Sequence, residues 1–240
     1  MLTRCEVHHL GVVPYQQAWE LQEKLAGEIA AGARLPSLLL LEHPHTYTFG
    51  RRGQAANLLW DEEELERRGV AVHWVDRGGD VTYHGPGQLV GYPLLPLGRP
   101  QANADASAAG RIPQADYTGY LRRLEKVLIL ALDRLGVPAF TLRGLTGVWV
   151  HPPGQADPAK IAAIGVKVDA RGVSRHGFAL NLATNMAYWE GIIACGIEEY
   201  RVINLGDLLD TPPDMAQVSA AVMQAFGEVF SLDMVQAGEV

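Results

Sequence analysis

Cysteine is scarce in this chain: Cys5 and Cys195 are the only two among 240 residues. A secreted fold stapled by disulfides carries more cysteines at shorter spacings, so reduced, intracellular thiols are expected. The opening residues MLTRCEVHHLG hold no apolar signal core, and no run approaches the roughly 18 apolar residues of a membrane span. A cytoplasmic protein with no membrane partner follows as the expectation. Basic charge is also short, with 20 Lys and Arg against 27 Asp and Glu and a net charge of −7. The arginine pairs at 51–52, 67–68 and 122–123 stand among acids and form no stripe, which argues against nucleic acid as a partner. The sequence has no Gly-x-Ser-x-Gly elbow of a serine hydrolase. It has no phosphate loop of the triphosphate or dinucleotide type. His8-His9 and His43-x-His45 lack companions at metal-ligand spacing, so no metal is expected.

What is present suits an ordinary soluble globular protein. Hydrophobic residues make up 48% of the chain, and no break in composition divides it, so one domain over 1–240 is expected. Loose alternation over 3–13 predicts a first strand. Tyr15 to Ala31 has apolar residues near a 3.6 period and predicts a helix. Leu38 to Leu41 reads as a buried strand, and 43–50 as a turn with a short extended piece. Residues 61–68 start acidic and end basic before Gly69, the polarity a helix dipole favours. Val70–Val75 and Leu89–Leu95 read as strands. Residues 98–116, rich in Ala, Gly, Pro and Asp, predict an exposed insertion loop. Tyr117 to Leu135 is the clearest amphipathic helix, stopped by Gly136-Val137-Pro138. Strands follow at 147–150 and 160–168, then a hairpin through Arg171-Gly172 to 176–180. Two helices near 205–210 and 214–230 close the prediction. This mixture predicts an α/β (α+β) fold, a mixed sheet packed by helices.

Three stretches stand apart. Arg77 to Gln88 places four glycines, a proline, an arginine and a histidine within twelve residues. That makes a poor strand or helix, but it lets backbone approach a ligand closely. A tight hairpin that merely needs glycine explains it as well. Lys160 opens the apolar, small-residue strand Ile161-Ala162-Ala163-Ile164-Gly165-Val166, where burial makes an amine available for proton transfer. A lysine snorkelling from a strand end is the commoner explanation. Cys195 lies in Ile192-Ile193-Ala194-Cys195-Gly196-Ile197. A cysteine in such a run is ordinarily a small core residue, although Gly196 permits a tight turn. A nucleophilic cysteine needs a cationic or basic neighbour, and Lys160, His84 and His176 are the candidates, brought near only by the fold.

In this order, the stretches resemble the lipoyl(octanoyl) transferase family. The family pattern of Arg-Gly-Gly-x-x-Thr-Tyr/Phe-His-x-Pro-Gly-Gln, Lys-Ile/Val-Ala-Ala-Ile-Gly, His-Gly-Phe-Ala-Leu-Asn and Cys-Gly-Ile matches Arg77–Gln88, Lys160–Gly165, His176–Asn181 and Cys195–Ile197. Glu42-His43-Pro44, Thr46-Tyr47-Thr48-x-Gly50 and the Tyr-x-x-x-Leu-Glu segment at 120–125 extend the likeness over roughly residues 10–210. The chain departs from the pattern at Ala194, where the family usually has proline, and in its longer loop at 98–116.

The resemblance implies the catalytic fold of biotin and lipoate protein ligases. It implies transfer of octanoyl from acyl carrier protein to a lysine of a lipoyl domain, in 2-oxoacid dehydrogenase complexes or the glycine cleavage H protein. By position, Cys195 is implied as the thioester nucleophile and Lys160 as the residue that lowers its pKa. The acyl site is implied to comprise Arg77, Gly78, Gly79, Asp80, Val81, Thr82, Tyr83 and His84, with Ala163, Ile164, Gly165, Gly177, Phe178 and Ala179. Tyr83, Ile164 and Phe178 are the expected walls of the acyl slot. Backbone N–H groups at Gly165, Gly196 or the 77–79 turn are the candidates for an oxyanion hole. Because the donor is already a thioester, no cofactor is expected; a monomer is expected. The rivals are an ATP-dependent lipoate or biotin ligase, an octanoyl or lipoyl amidotransferase, and a non-catalytic module that docks acyl carriers.

Overall fold

The structure, a computed structural model, describes residues 2–98, 116–194 and 201–238. The predicted insertion loop therefore lies almost wholly outside the described residues, as does Cys195.

Leucines at 38–41 show why the main sheet is covered on both faces. In β2 (Ser37–Glu42), Leu38 and Leu40 enter one apolar cluster while Leu39 and Leu41 enter another on the opposite face. A continuous apolar run is what a strand buried on both sides requires. β2 lies between β1 (Thr3–Val12), parallel to it, and β6 (Gln88–Leu94), antiparallel. The sheet continues antiparallel through β10 (Ser174–Asn181), β9 (Ala159–Val168), β8 (Leu145–Val150) and β7 (Phe140–Leu142). The two-residue β11 (Arg201–Val202) runs parallel to the start of β9.

On one face lies α1 (Tyr15–Ala30), which buries Ala18, Leu25, Ala26 and Ile29. On the other lie α3 (Tyr117–Arg134) and α4 (Met215–Phe230). Both start on aspartate caps: Asp116 accepts from Gly119 N at 2.7 Å, and Asp214 forms a reciprocal capping box with Gln217. Beside this sheet a smaller one joins β3 (Thr46–Phe49) to β4 (Ala71–Trp74) and β5 (Val81–His84). It is covered by α2 (Glu62–Arg67) through Leu65. No helix among the described residues is long and apolar enough to cross a membrane.

Two expectations are corrected. The glycine-rich stretch contains β5, because its glycines flank Val81-Thr82-Tyr83-His84 and leave the β-favouring Val81, Thr82 and Tyr83 uninterrupted. The described fold also does not finish on helices. Residues 205–208 make only a 3₁₀ turn, and α4 is followed by β12 (Leu232–Gln236), parallel to β1 at the sheet edge. Only half-buried there, β12 carries little apolar alternation to announce it.

Candidate active site

A cleft opens where the start of α1, the small sheet and the strands β9 and β10 meet. It encloses about 520 Å³ counting its open mouth. From the 77–84 stretch it takes Arg77, Gly78, Gly79, Asp80, Thr82 and His84; from β9, Lys160, Ala163, Ile164 and Gly165; from β10, His176, Gly177, Phe178 and Ala179. Val81 and Tyr83 do not line it. Alternation along β5 turns them away, into the core of the small sheet, where the Tyr83 hydroxyl bonds to His45 Nδ1 at 2.8 Å. Tyr83 is thus no wall of the cleft, whereas Ile164 and Phe178 are.

Tyr15, Tyr92 and Thr146 complete the lining. Sequence reasoning missed them because each sits on a different element, two of them as ordinary tyrosines in apolar surroundings.

Lys160 reaches the cleft because β9 is bulged. Val148 pairs with Ala162, but the next residue, Trp149, pairs with Lys160 and skips Ile161. The extra residue sends both Ile161 and Ala162 into the helix-covered core and re-aims Lys160 to the cleft side, with Ala163 and Gly165. Regular alternation would have put Lys160 on the face of Ala162. Its Nζ sits over the Trp149 ring, 4.8 Å from the centroid. Gly147 lies beside the lysine stem: its φ of +124° favours glycine, and a Cβ there would clash with Ala162 O at 2.7 Å while only touching Lys160 Cε at 3.4 Å.

Gly165 permits another close approach, since a Cβ would lie 3.0 Å from Gly78 O and 3.1 Å from Arg77 Cδ. The 77–79 turn can therefore press on β9, and Gly78 N donates to Val166 O at 3.0 Å. That bond occupies one of the N–H groups considered for an oxyanion hole. Arg77 is buried; its Nη2 donates to Thr48 Oγ1 at 2.9 Å and to Thr48 O. Thr82 Oγ1 is buried at the cleft with no hydrogen-bond partner among the described residues. Such a group suits a polar atom of a ligand.

Burial favours the neutral form of both cleft histidines. His84 Nδ1–H donates to Gln88 Oε1 at 2.8 Å, and its Nε2 accepts from the Thr48 hydroxyl at 3.3 Å. Burial, then the neighbouring His43, hold its pKa well below the ordinary value. His176 stands at φ 56° within β10, a strained position for a side chain of its size. Three contacts hold it there: its N–H donates to Gln22 Oε1 at 2.7 Å, its Nε2–H to Asp76 Oδ1 at 2.7 Å, and Tyr15 O–H to its Nδ1 at 3.4 Å. Burial lowers its pKa as well, against the pull of Asp76. Burial pushes the Asp76 carboxyl up, but the bonds from His176 and Lys167, with Arg175 nearby, outweigh it and keep it ionised. Of the three candidates to assist a thiol, only Lys160 brings a cationic side chain.

His43 makes the fold acid-sensitive. Its Nδ1–H donates to Val13 O at 2.6 Å, its Nε2 accepts from the Tyr92 hydroxyl at 2.7 Å, and burial takes its pKa down to about 4. The unfolded chain binds a proton near pH 6.5 that the folded one refuses until about 4, so stability falls as pH drops through that window. His43 alone accounts for roughly 3 kcal/mol, and His84 and His176 act in the same direction. Urea unfolding at pH 7 and pH 4.5 should show this loss, and His43→Gln should flatten the slope. An equal slope in the variant assigns the effect elsewhere.

Cys195 lies outside the described residues, but both approaches to it are fixed. On one side Leu58 bridges Ile192, and Ile193 N donates to Asn57 O at 2.9 Å. Asn57 in turn donates its side-chain amide to Asp80 Oδ2, on the cleft wall. On the other side Val202 pairs with Lys160, and Ile203 N donates to Lys160 O at 3.1 Å.

The Lipoyl protein ligase A/B catalytic domain family model matches residues 14–227. An octanoyltransferase of Acidobacterium capsulatum is 42% identical over 92% of this chain and 88% of its own length. One of Chloroflexus aurantiacus is 41% identical over 95% and 94%. Among solved structures, a bipartite lipoate protein ligase of Thermoplasma acidophilum superposes with a TM-score of 0.73 at 18% identity, covering 98% of this chain and 87% of that one. At that identity the superposition speaks for the fold.

Proposed function

Since the chain belongs to the octanoyltransferases of the lipoyl protein ligase A/B catalytic family, we propose that it carries octanoyl on Cys195 between two proteins. The donor is the phosphopantetheine thioester of acyl carrier protein. The acceptor is a lysine of a lipoyl domain. The enzyme works as a cytoplasmic monomer without a cofactor. The observation that carries the Cys195 assignment is the fastening of both approaches to residue 195: Ile193 to the segment that holds Asp80, and Val202 to Lys160 itself.

In the first half-reaction the Lys160 ammonium favours the Cys195 thiolate, which attacks the donor carbonyl. The pantetheine thiolate leaves, taking a proton from the Lys160 ammonium, and octanoyl-Cys195 remains beside a neutral Lys160. The acceptor lysine, with an ordinary pKa of about 10.4, arrives protonated and must lose a proton before attack. Lys160, neutral at this stage, takes it. The amine attacks the thioester, an amide forms, and the Cys195 sulfur is released for the next cycle. Ile164 and Phe178, which line the cleft, bound the alkyl chain.

Purified protein, octanoyl-acyl carrier protein and a lipoyl domain, mixed without nucleotide, should yield a lipoyl domain heavier by one octanoyl group. Product formed only from free octanoate and ATP replaces this reading with that of a ligase. Preference for an octanoylated protein as donor replaces it with that of an amidotransferase.

A further inference from the structure

Trp149 is buried on the opposite side of β8 from its neighbours Val148 and Val150, which enter the helix-covered core. The bulge in β9 sets Lys160 directly across from it, so the two side chains share a face. The result is an amine nitrogen 4.8 Å from the ring centroid, within the range where an aromatic quadrupole attracts a cation. Gly147, two residues before Trp149, lies against the lysine stem, within contact distance of Lys160 Cε and Cδ. Its N–H donates to the buried carboxylate of Glu125 at 3.2 Å, and Arg122 Nη1 donates to the same carboxylate at 2.6 Å. The ring and the glycine thus form a seat for one side chain, built on a sheet and tied to α3.

We propose that Trp149 is a positioning residue of this transferase: its indole face seats the Lys160 ammonium at the cleft and stabilises its positive charge. The inference rests on the reading of Lys160 as the group that serves the thiol and the incoming amine. In the first half-reaction the ring supports the ammonium that faces the thiolate. In the second it supports the ammonium that forms when Lys160 takes the acceptor's proton. Both steps gain from the same electrostatic contact, and neither requires Trp149 to touch a substrate.

Fluorine on the indole drains its π face while barely changing its shape. Mono-, di- and trifluorotryptophan introduced at position 149 alone should slow single-turnover acylation from octanoyl-acyl carrier protein stepwise, by about tenfold across the series. The donor concentration for half-maximal rate should not move. A flat series overturns the inference. A spectroscopic signature checks the contact without any turnover. The chain has four lysines, and with ¹³Cε-labelled lysine the signal lost in Lys160→Arg identifies Lys160. Its ε protons should be displaced upfield by the indole ring current, return to the ordinary position in Trp149→Leu, and keep part of the displacement in Trp149→Phe. An undisplaced signal in the wild type also overturns the inference. Wild-type acylation by Lys160→Ala sinks the reading of Lys160 itself. A crippled Lys160→Ala together with a flat fluorination series sinks only the role given to Trp149.

Discussion

Cys195→Ala should lose octanoyl transfer by a thousandfold or more, the scale on which enzymes suffer when a covalent nucleophile is removed. The intact mass of wild-type protein incubated with octanoyl-acyl carrier protein should rise by one octanoyl group. Cys195→Ala should show no rise, and Cys195→Ser little, since a serine hydroxyl lacks the ready ionisation of a thiol. The chain supplies its own control. Cys5 is fully buried, and burial, with Glu6 adding to it, pushes its thiol up to about 12, so it should resist alkylation in the folded state. Rapid modification of wild-type protein should therefore stop at one equivalent, and Cys195→Ala should take none. Turnover by Cys195→Ala at the wild-type rate removes the thioester from the mechanism. An inert Cys195 thiol leaves the fold as a docking module.

Lys160→Ala should slow both half-reactions, each by a factor of a hundred or more, the usual yield of a positioned acid or base. Lys160→Arg should rescue little. A guanidinium restores positive charge near the thiol but cannot take a proton from the acceptor amine at neutral pH. The pattern to measure is a split: acyl-enzyme formation partly restored in the arginine variant, amide formation not. The split follows from geometry, because the bulge gives the cleft one amine that both steps must share. Full restoration of amide formation by arginine assigns the proton transfer to another group.

Much of this was legible in the residues. Leu38–Leu41, the capped helix at 117–134 and the hairpin at Arg171-Gly172 are local patterns, and each became the element it predicted. The family, too, was legible, since four short motifs in fixed order are more than any one of them. What escaped depends on pairing between distant strands. No spacing in Lys160-Ile161-Ala162-Ala163 reveals that the strand slips by one residue against Val148-Trp149. Tyr83 was misplaced for a related reason: the glycines around it hid the strand whose alternation turns it from the cleft. His176 was recognised as part of a motif, but its left-handed backbone and its bond to Asp76, a hundred positions away, belong to the tertiary structure.

The slip in β9 also bears on any attempt to rebuild this chemistry in another scaffold. The Lys-Ile-Ala-Ala-Ile-Gly hexamer does not by itself say where its amine will point; the neighbouring strand decides that. Grafted into a sheet with unbroken register, the same six residues would deliver the amine to the side that Ala162 occupies, away from the cleft.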